Sequence, residues 1–405
     1  MNILVLEPHA TGHHGPYLEW MVRGLVERGF VVDVITSPET AAHPSLRALD
    51  CIASYGVANP PRIISSSPSG FSLSRTNGGT GLVMRELSYW RLFNAWYKAH
   101  ADSVRPDVIF LPYLDYCLYA IGLLGSPFGE CPWIGLAMRP SFHYQKMGVI
   151  APQPSLVTIK KALFFRLLNN RSMRRLLTID EPLAKYLEGT AKVLSKVTFL
   201  PEPADLGNLP DTAVAKRHLG FSSERKLILL YGSITERKGA LELLRALAAP
   251  GFPPNVDVLM AGNIAAPKIR DVLAESWTLA LRDQGRLKIM DRFIDTRDEA
   301  ILFSATDIVW LGYRGHYNGS GVLMQAATAG RPVLACQEGV LGWQTFRHGL
   351  GRTADPANTS EVIRAVIDLL NGATLRNTKD DVSELFQPAS FSQAQDILAL
   401  AVTGA

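Results

Sequence analysis

Short, almost unbroken apolar runs recur along the chain, each followed by a longer stretch in which apolar positions return every three or four residues. A parallel strand covered by helices on both faces reads as the first pattern, and an amphipathic helix reads as the second. The alternation starts twice. The first series predicts strands over 2–6, 31–36, 108–111, 132–137 and 176–179, with helices over 16–28, 85–100 and 158–175. Between 65 and 81 the chain runs through Ser-Ser-Ser-Pro-Ser-Gly and Asn-Gly-Gly-Thr-Gly, which predicts a mobile surface loop.

The second series predicts strands over 226–232, 256–261, 287–290, 308–311 and 332–336, with helices over 238–249, 269–284, 297–304, 321–329 and 360–371. Leu-Pro-Glu-Pro, Asn-Leu-Pro-Asp and Phe-Ser-Ser punctuate 199–223, as expected of a connection between domains. The fold class is therefore α/β: two tandem Rossmann-like, doubly wound parallel sheets, expected to face a central cleft lined by the carboxyl ends of their strands. The domains are set at 1–203 and 204–387, and an Ala/Leu-rich helix within 388–405 is expected to pack back on the body.

Length agrees, since 405 residues suit two domains of about 200. Hydrophobic residues are 47% and charged residues 19%, which excludes long disorder and a charged coiled coil. A net charge of +4 is too small over this length to suggest a nucleic-acid partner. The four cysteines, Cys51, Cys117, Cys131 and Cys336, are scattered without metal-ligand or redox spacing, and no metal site is expected. A cytoplasmic protein, at most associated with the inner face of the membrane, is the expectation. The first apolar run is cut at Glu7 and lacks a basic leader, so it reads as a strand and not a signal peptide; the apolar window 113–138 is broken by Asp115, Gly125, Pro127, Glu130 and Pro132.

Three loops carry candidate chemistry. The first follows the first strand: Glu7-Pro8-His9-Ala10-Thr11-Gly12-His13-His14-Gly15. Gly12 and Gly15 permit close backbone approach, and the amides of the next helix attract an anion, although this is no G-x-G-x-x-G loop. The second opens the second series: Tyr231-Gly232-Ser233-Ile234-Thr235-Glu236-Arg237-Lys238-Gly239. Cations beside positive helix amides are unfavourable unless an anion joins them, so Arg237 and Lys238 point to a phosphate-bearing ligand; a solvated Arg-Lys pair is the alternative. The third is His316-Tyr317-Asn318-Gly319-Ser320-Gly321, which enters a helix that carries Gln325 about one turn further in. Its amides at Ser320 and Gly321 can cradle a pyrophosphate, and Gln325 can bond a hydroxyl pair; a ligand-free cap is the alternative.

Together with Ala329-Gly330-Arg331-Pro332-Val333-Leu334-Ala335, these loops make the chain resemble the family 4 glycosyltransferases of GT-B fold, over nearly its whole length and most strongly from Leu227 to Asp355. The resemblance implies transfer of a sugar from a nucleoside diphosphate sugar to a glycan, lipid-linked or small-molecule hydroxyl acceptor, with retention at the anomeric carbon and without a metal ion or other cofactor. It places Lys238 on the phosphate-binding lysine, Ser320 and Gly321 on the diphosphate turn, and the Gly12–Gly15 loop, with His13, opposite donor phosphate and acceptor. His316, Asn318 and Gly319 fall in the donor loop. The family's paired glutamates are Tyr317 and Gln325 here, its arginine before the lysine is Ser233 with Arg237 nearby, and its histidine position holds Met138-Arg139-Pro140, leaving His143 as the candidate. The expected catalytic residues are thus His13, His143 and Lys238.

Two other functions fit the same architecture: a nucleotide-sugar epimerase, for which His9, His13, His14 and Glu338 are acid/base candidates, and a non-catalytic nucleotide-sugar-binding protein. Finally, 160–177 holds six cations and no acid among Phe and Leu at helical spacing, which predicts either a basic helix lying on an anionic membrane or a core helix with a solvated basic face.

Overall fold

The computed structural model describes residues 1–10, 14–50, 60–66, 79–188, 196–372 and 390–404. The chain divides into two compact units: Met1–Tyr144 with Gln153–Pro201 and Phe391–Ala405, and Gln145–Pro152 with Glu202–Ser390.

The first unit is built on a sheet of seven parallel strands, β1 (Asn2–Leu6), β2 (Val31–Thr36), β3 (Arg62–Ser65), β4 (Val108–Leu111), β5 (Trp133–Ala137), β6 (Met173–Thr178) and β7 (Val197–Phe199), in the order β3-β2-β1-β4-β5-β6-β7. The second is built on six, β8 (Lys226–Tyr231), β9 (Val256–Ala261), β10 (Leu287–Met290), β11 (Ile308–Leu311), β12 (Val333–Cys336) and β13 (Gly351–Ala354), in the order β10-β9-β8-β11-β12-β13 and also all parallel. In both sheets the order reverses beside the first strand of the unit, the switch point of a doubly wound sheet where ligands collect at the strands' carboxyl ends.

Alternate residues of each central strand feed opposite cores. Leu4, Ile109 and Trp133 enter one face of the first sheet, while Ile3, Val5, Phe110 and Ile134 enter the other. Ile228, Leu230 and Met260 divide from Leu229, Leu259 and Ala261 in the same way. Both faces are dry, which is why these strands read as continuous apolar runs. The edge strands β3 and β7 are only half-buried, and their sequences carry no such run.

Several expectations need correction. Ser65 ends strand β3 and Gly79 already opens the helix Gly79–Val104, so the expected loop is confined at most to 66–78, of which 67–78 lie outside the described residues. The helix expected over 158–175 ends at Leu168: Asn170 Oδ1 accepts from Ser172 N–H (3.1 Å) and Ser172 Oγ–H (2.8 Å), a turn that breaks the helix, and Met173 then opens β6. The six cations of 160–177 are therefore shared among a helix, a turn and a strand, and do not form one basic helical face. The helix expected over 269–284 is two, Pro267–Leu273 and Ser276–Asp283, because Glu275 is extended. Within the expected connection lies a helix, Thr212–His218, capped by Asp211.

The last helix, Phe391–Thr403, packs on the helix His14–Glu27 of the first unit. No helix among the described residues is long and apolar enough to cross a membrane.

Candidate functional site

Strand β8 ends at Tyr231, and the chain turns at Gly232, whose φ of 93° suits glycine. A short 3-10 turn, Glu236–Lys238, leads through Gly239 into the helix Ala240–Ala248. Gly239 has φ of 68°, and a Cβ there would stand 2.1 Å from Gly312 O, so only glycine fits this close approach. Trp310 Nε1–H donates to Lys238 O at 3.0 Å and fixes the turn from β11.

The result is a lysine folded inward. Lys238 is 8% exposed; its ammonium donates to Tyr231 O and lies 5.3 Å from the centre of the Tyr313 ring. Among the described residues no carboxylate pairs with it. A buried cation satisfied only by a carbonyl and a ring face lacks its counter-charge, and an anion would supply it.

Tyr313 is also the link to the third loop. Its hydroxyl oxygen lies 3.5 Å from Ser320 Oγ, so one tyrosine side chain spans from the ammonium of Lys238 to the start of the helix Gly321–Thr328. Ser320 occupies the N-cap in an extended conformation without a side-chain cap bond, which leaves the first-turn amides to other partners. Glu202 stands over this point: a Cβ on Gly321 would lie 3.1 Å from Glu202 Oε1. The chain itself thus brings a carboxylate to the helix start.

The remaining donor-loop residues surround this core. Arg237 Nη1 donates to His316 Nδ1 (3.1 Å) and His316 Nε2 donates to Gly319 O (2.9 Å), which assigns the Nε2–H tautomer. Burial, then Arg237 and Lys238, hold the His316 pKa below the usual histidine value against the Gly319 bond, so the ring is neutral at pH 7. Tyr317 and Asn318 are half-buried, and Tyr317 O accepts from Val340 N–H at 3.0 Å. Ser233 is exposed. Gln325 Nε2 donates to Glu299 Oε1 at 3.2 Å, and the Tyr231 hydroxyl donates to the same oxygen. Glu299, Tyr313 and Glu202 escaped the sequence analysis. Only Tyr313, an aromatic with a polar tip just past β11, carried a readable signal.

In the first unit, Gly12 and His13 lie outside the described residues. Gly15 sits in the first turn of the helix His14–Glu27, where a Cβ would meet Ala10 O at 3.0 Å and His43 Cε1 at 2.9 Å. His143 is fully buried, with Nε2 3.3 Å from Asp180 Oδ1 and its ring edge-on to Phe142 and Tyr144. Asp180 also accepts from Leu183 N–H (2.9 Å) at the start of the helix Glu181–Glu188, so this pair is a structural pin that offers a substrate no surface.

A cluster that takes in His9 and His14, two of the acid/base candidates, sits at the end of β1. Glu7, 1% exposed, accepts at Oε1 from His9 N–H and the Tyr116 hydroxyl, each at 3.0 Å. Tyr116 Oη is 3.1 Å from His14 Nδ1, and His9 Nε2 is 2.7 Å from Tyr89 Oη. Tyr89 stacks on Tyr116 at 4.4 Å, and Tyr113 faces His14 at 4.2 Å. Burial lowers the His9 pKa, against the pull of Glu7, and pushes Tyr89 and Tyr113 up to about 12, so these rings are neutral near pH 7. Of the cluster's members, Glu7, His9 and His14 belong to the first candidate loop of the sequence, whereas the tyrosines carried no signal there. Among the described residues no three His, Cys, Asp or Glu side chains come together as metal ligands.

No protein-family model matches the chain, and no curated protein matches it. Solved structures do. Sucrose-phosphate synthase from Thermosynechococcus elongatus is 16% identical, with TM-score 0.59 over 99% of this chain and 94% of that one. HepE of Anabaena, solved in complex with UDP, is 17% identical, with TM-score 0.61 over 99% and 96%. WaaG, a glycosyltransferase involved in lipopolysaccharide biosynthesis, is 16% identical, with TM-score 0.58 over the whole of both chains. At these identities the likeness is one of fold: two parallel-sheet α/β domains, the GT-B architecture.

Proposed function

We propose that the chain is a retaining glycosyltransferase of the family 4 type, which takes a nucleoside diphosphate sugar as donor and a hydroxyl of a glycan, lipid-linked or small molecule as acceptor. The observation that carries this is Lys238: a buried ammonium without a carboxylate partner among the described residues, one tyrosine away from the start of the helix Gly321–Thr328, at the switch point of a doubly wound sheet. A diphosphate supplies the missing charge to Lys238 and replaces Glu202 at the helix start. HepE, a neighbour of the same fold, was solved with UDP and with UDP-glucose.

In this mechanism the chain stabilises the departing diphosphate. Lys238 and the amides at Ser320–Gly321 take up the negative charge that develops as the glycosidic bond breaks, and preorganised donors in a water-poor site do this without reorganising. Arg237, held by His316, adds a second cation at the rim. No metal is needed for that charge, and no carboxylate of the donor loop is placed as a nucleophile, since Tyr317 and Gln325 stand where the family has glutamates. The aromatic and histidine cluster at the end of β1 is assigned to the acceptor. A cytoplasmic location belongs to the same proposal, supported by Cys117, Cys131 and Cys336 being free thiols.

One observation favours a second function: His9, His14 and Glu7 gather as an acid/base set of the kind that an epimerase requires. Product analysis separates the two. The protein is titrated with UDP-, GDP- and ADP-sugars by calorimetry, and the products are resolved with and without acceptors. Binding of one donor class, with transfer or slow donor hydrolysis, is expected, and Lys238→Ala should weaken that binding at least about 10-fold, as loss of a charge-assisted bond does. Epimer formed without acceptor would replace this function by the second, and failure of the folded protein to bind any of the donors would remove both.

A further inference from the structure

Tyr231 organises more than the phosphate lysine. Its carbonyl accepts from Lys238, while its hydroxyl, at the far end of the same residue, donates to Glu299 in the first turn of the helix Thr296–Ala305. Gln325, from the helix Gly321–Thr328, donates to the same oxygen of Glu299 at 3.2 Å and also reaches the Tyr231 hydroxyl. Two elements therefore spend their donors on Oε1 of one half-buried carboxylate carried by a third. No donor among the described residues reaches Glu299 Oε2, and Gln325 Oε1 is likewise without one. The arrangement leaves two acceptor oxygens on two residues that are joined by the Gln325–Glu299 hydrogen bond and tied to the end of β8 through Tyr231.

We infer that Glu299 is a specificity-determining residue that, with Gln325, reads the ribose of the nucleotide: the vicinal 2′- and 3′-hydroxyls donate to Glu299 Oε2 and Gln325 Oε1. The inference rests on the nucleotide-sugar function proposed above and deepens it. The resemblance to the glycosyltransferases puts a neutral Gln325 where a carboxylate is usual; the structure brings a carboxylate to Gln325 from a different helix. A pair of acceptors fixed by Tyr231 suits a ligand that presents two donors. A deoxyribose presents only one, leaving a buried acceptor unpaired, and unpaired acceptors are what make hydroxyl recognition selective. The Tyr231 hydroxyl acts through Glu299 and is a positioning group.

The test compares UDP, GDP and ADP with their 2′-deoxy and 3′-deoxy counterparts by titration calorimetry on the wild type, Glu299→Gln and Glu299→Asp, with thermal unfolding as the check on folding. The wild type is expected to prefer the ribonucleotide about 10-fold or more. Glu299→Gln, which keeps an oxygen for Tyr231, should cut the preference over one deoxy form, the one that lacks the hydroxyl read by Glu299, to below about 3-fold, by weakening the ribonucleotide and the other deoxy form while leaving that one unchanged. Glu299→Asp, which withdraws the charge by one methylene, should fall between. Equal weakening of the ribonucleotide and of both deoxy forms would make Glu299 a support for Tyr231 only and overturn the inference, as would an unchanged preference in both variants. A wild type that binds none of these diphosphates would overturn the proposed function and this inference with it; a wild type that binds them without preference would overturn the inference alone.

Discussion

Glu86 is a carboxylate held where its charge is unwelcome. It is 6% exposed, and it accepts from Tyr119 N–H at 2.8 Å and Ala120 N–H at 2.9 Å, the first-turn amides of the helix Leu118–Leu124. Burial raises its pKa from 4.5 to about 7, outweighing the two amide bonds that pull the other way. The folded state therefore holds a proton that the unfolded chain releases above pH 4.5. The associated stability is complete below that pH and is lost as pH rises through about 7, at most about 3 kcal/mol over the interval. Glu86→Gln carries no such dependence. Between pH 5 and pH 8 the melting temperature of the variant should rise relative to the wild type, and a constant difference would show that Glu86 is already ionised at pH 5. Neither this role nor that of Glu299 was legible in the sequence, because both partners come from elements far along the chain. Lys238 was legible, since a cation two residues past a polar turn and next to a glycine needs no distant partner to look out of place.

At the scale of elements, close packing depends on residues that a pattern of apolar and polar positions passes over. The helix Leu118–Leu124 lies so near the helix Val157–Leu168 that a Cβ on Gly122 would stand 2.3 Å from Leu163 O. The obstacle is backbone, which cannot rotate aside. Gly122→Ala improves local helix propensity by about 1 kcal/mol, yet overpacking typically costs about 1–3 kcal/mol, and the contact with a carbonyl sets this site at the upper end. A net loss of about 1–2 kcal/mol is expected in denaturant unfolding; a stabilised variant would mean that the two helices separate freely. The same helix pair shows why the spacing predicts one element over 158–175. Its apolar spacing continues past Leu168, and only the Asn170–Ser172 turn, a polar side-chain bond to backbone, ends it. Central strands fared better: β1, β4, β8 and β9 are dry on both faces and announce themselves, whereas β3, β7 and β13 lie at sheet edges with little apolar content.

At the scale of the molecule, the chain order and the units do not coincide. The last helix, Phe391–Thr403, follows the second unit in sequence but completes the first. The Ala/Leu composition of 392–402 showed that the segment docks; the composition could not say where, because the complementary surface, on the helix His14–Glu27, is almost four hundred residues away in sequence. Two kinds of contact hold it. Ala394, Leu398, Ala401 and Val402 are buried in the core with Leu18 and Met21, and Arg28 bonds Asp396, Ser392 O and Gln395 at the rim. Burying Leu398 and Val402 is worth about 1.5–3 kcal/mol each, while a pair such as Arg28–Asp396, whose carboxylate is 62% exposed, is worth about 1 kcal/mol or less. The apolar face dominates. Deleting 391–405 should therefore remove several kcal/mol from the first unit, a large share of the about 5–15 kcal/mol that a domain has, while Arg28→Ala should cost about 1 kcal/mol. Scanning calorimetry separates the outcomes: in the deletion the transition of the first unit is lost or falls by more than about 10 °C while that of the second stays in place, and in Arg28→Ala both remain within a few degrees. A first unit that melts unchanged without its last helix would mean that residues 14–27 find other cover, and that the helix is an accessory to the sheet and not part of its core.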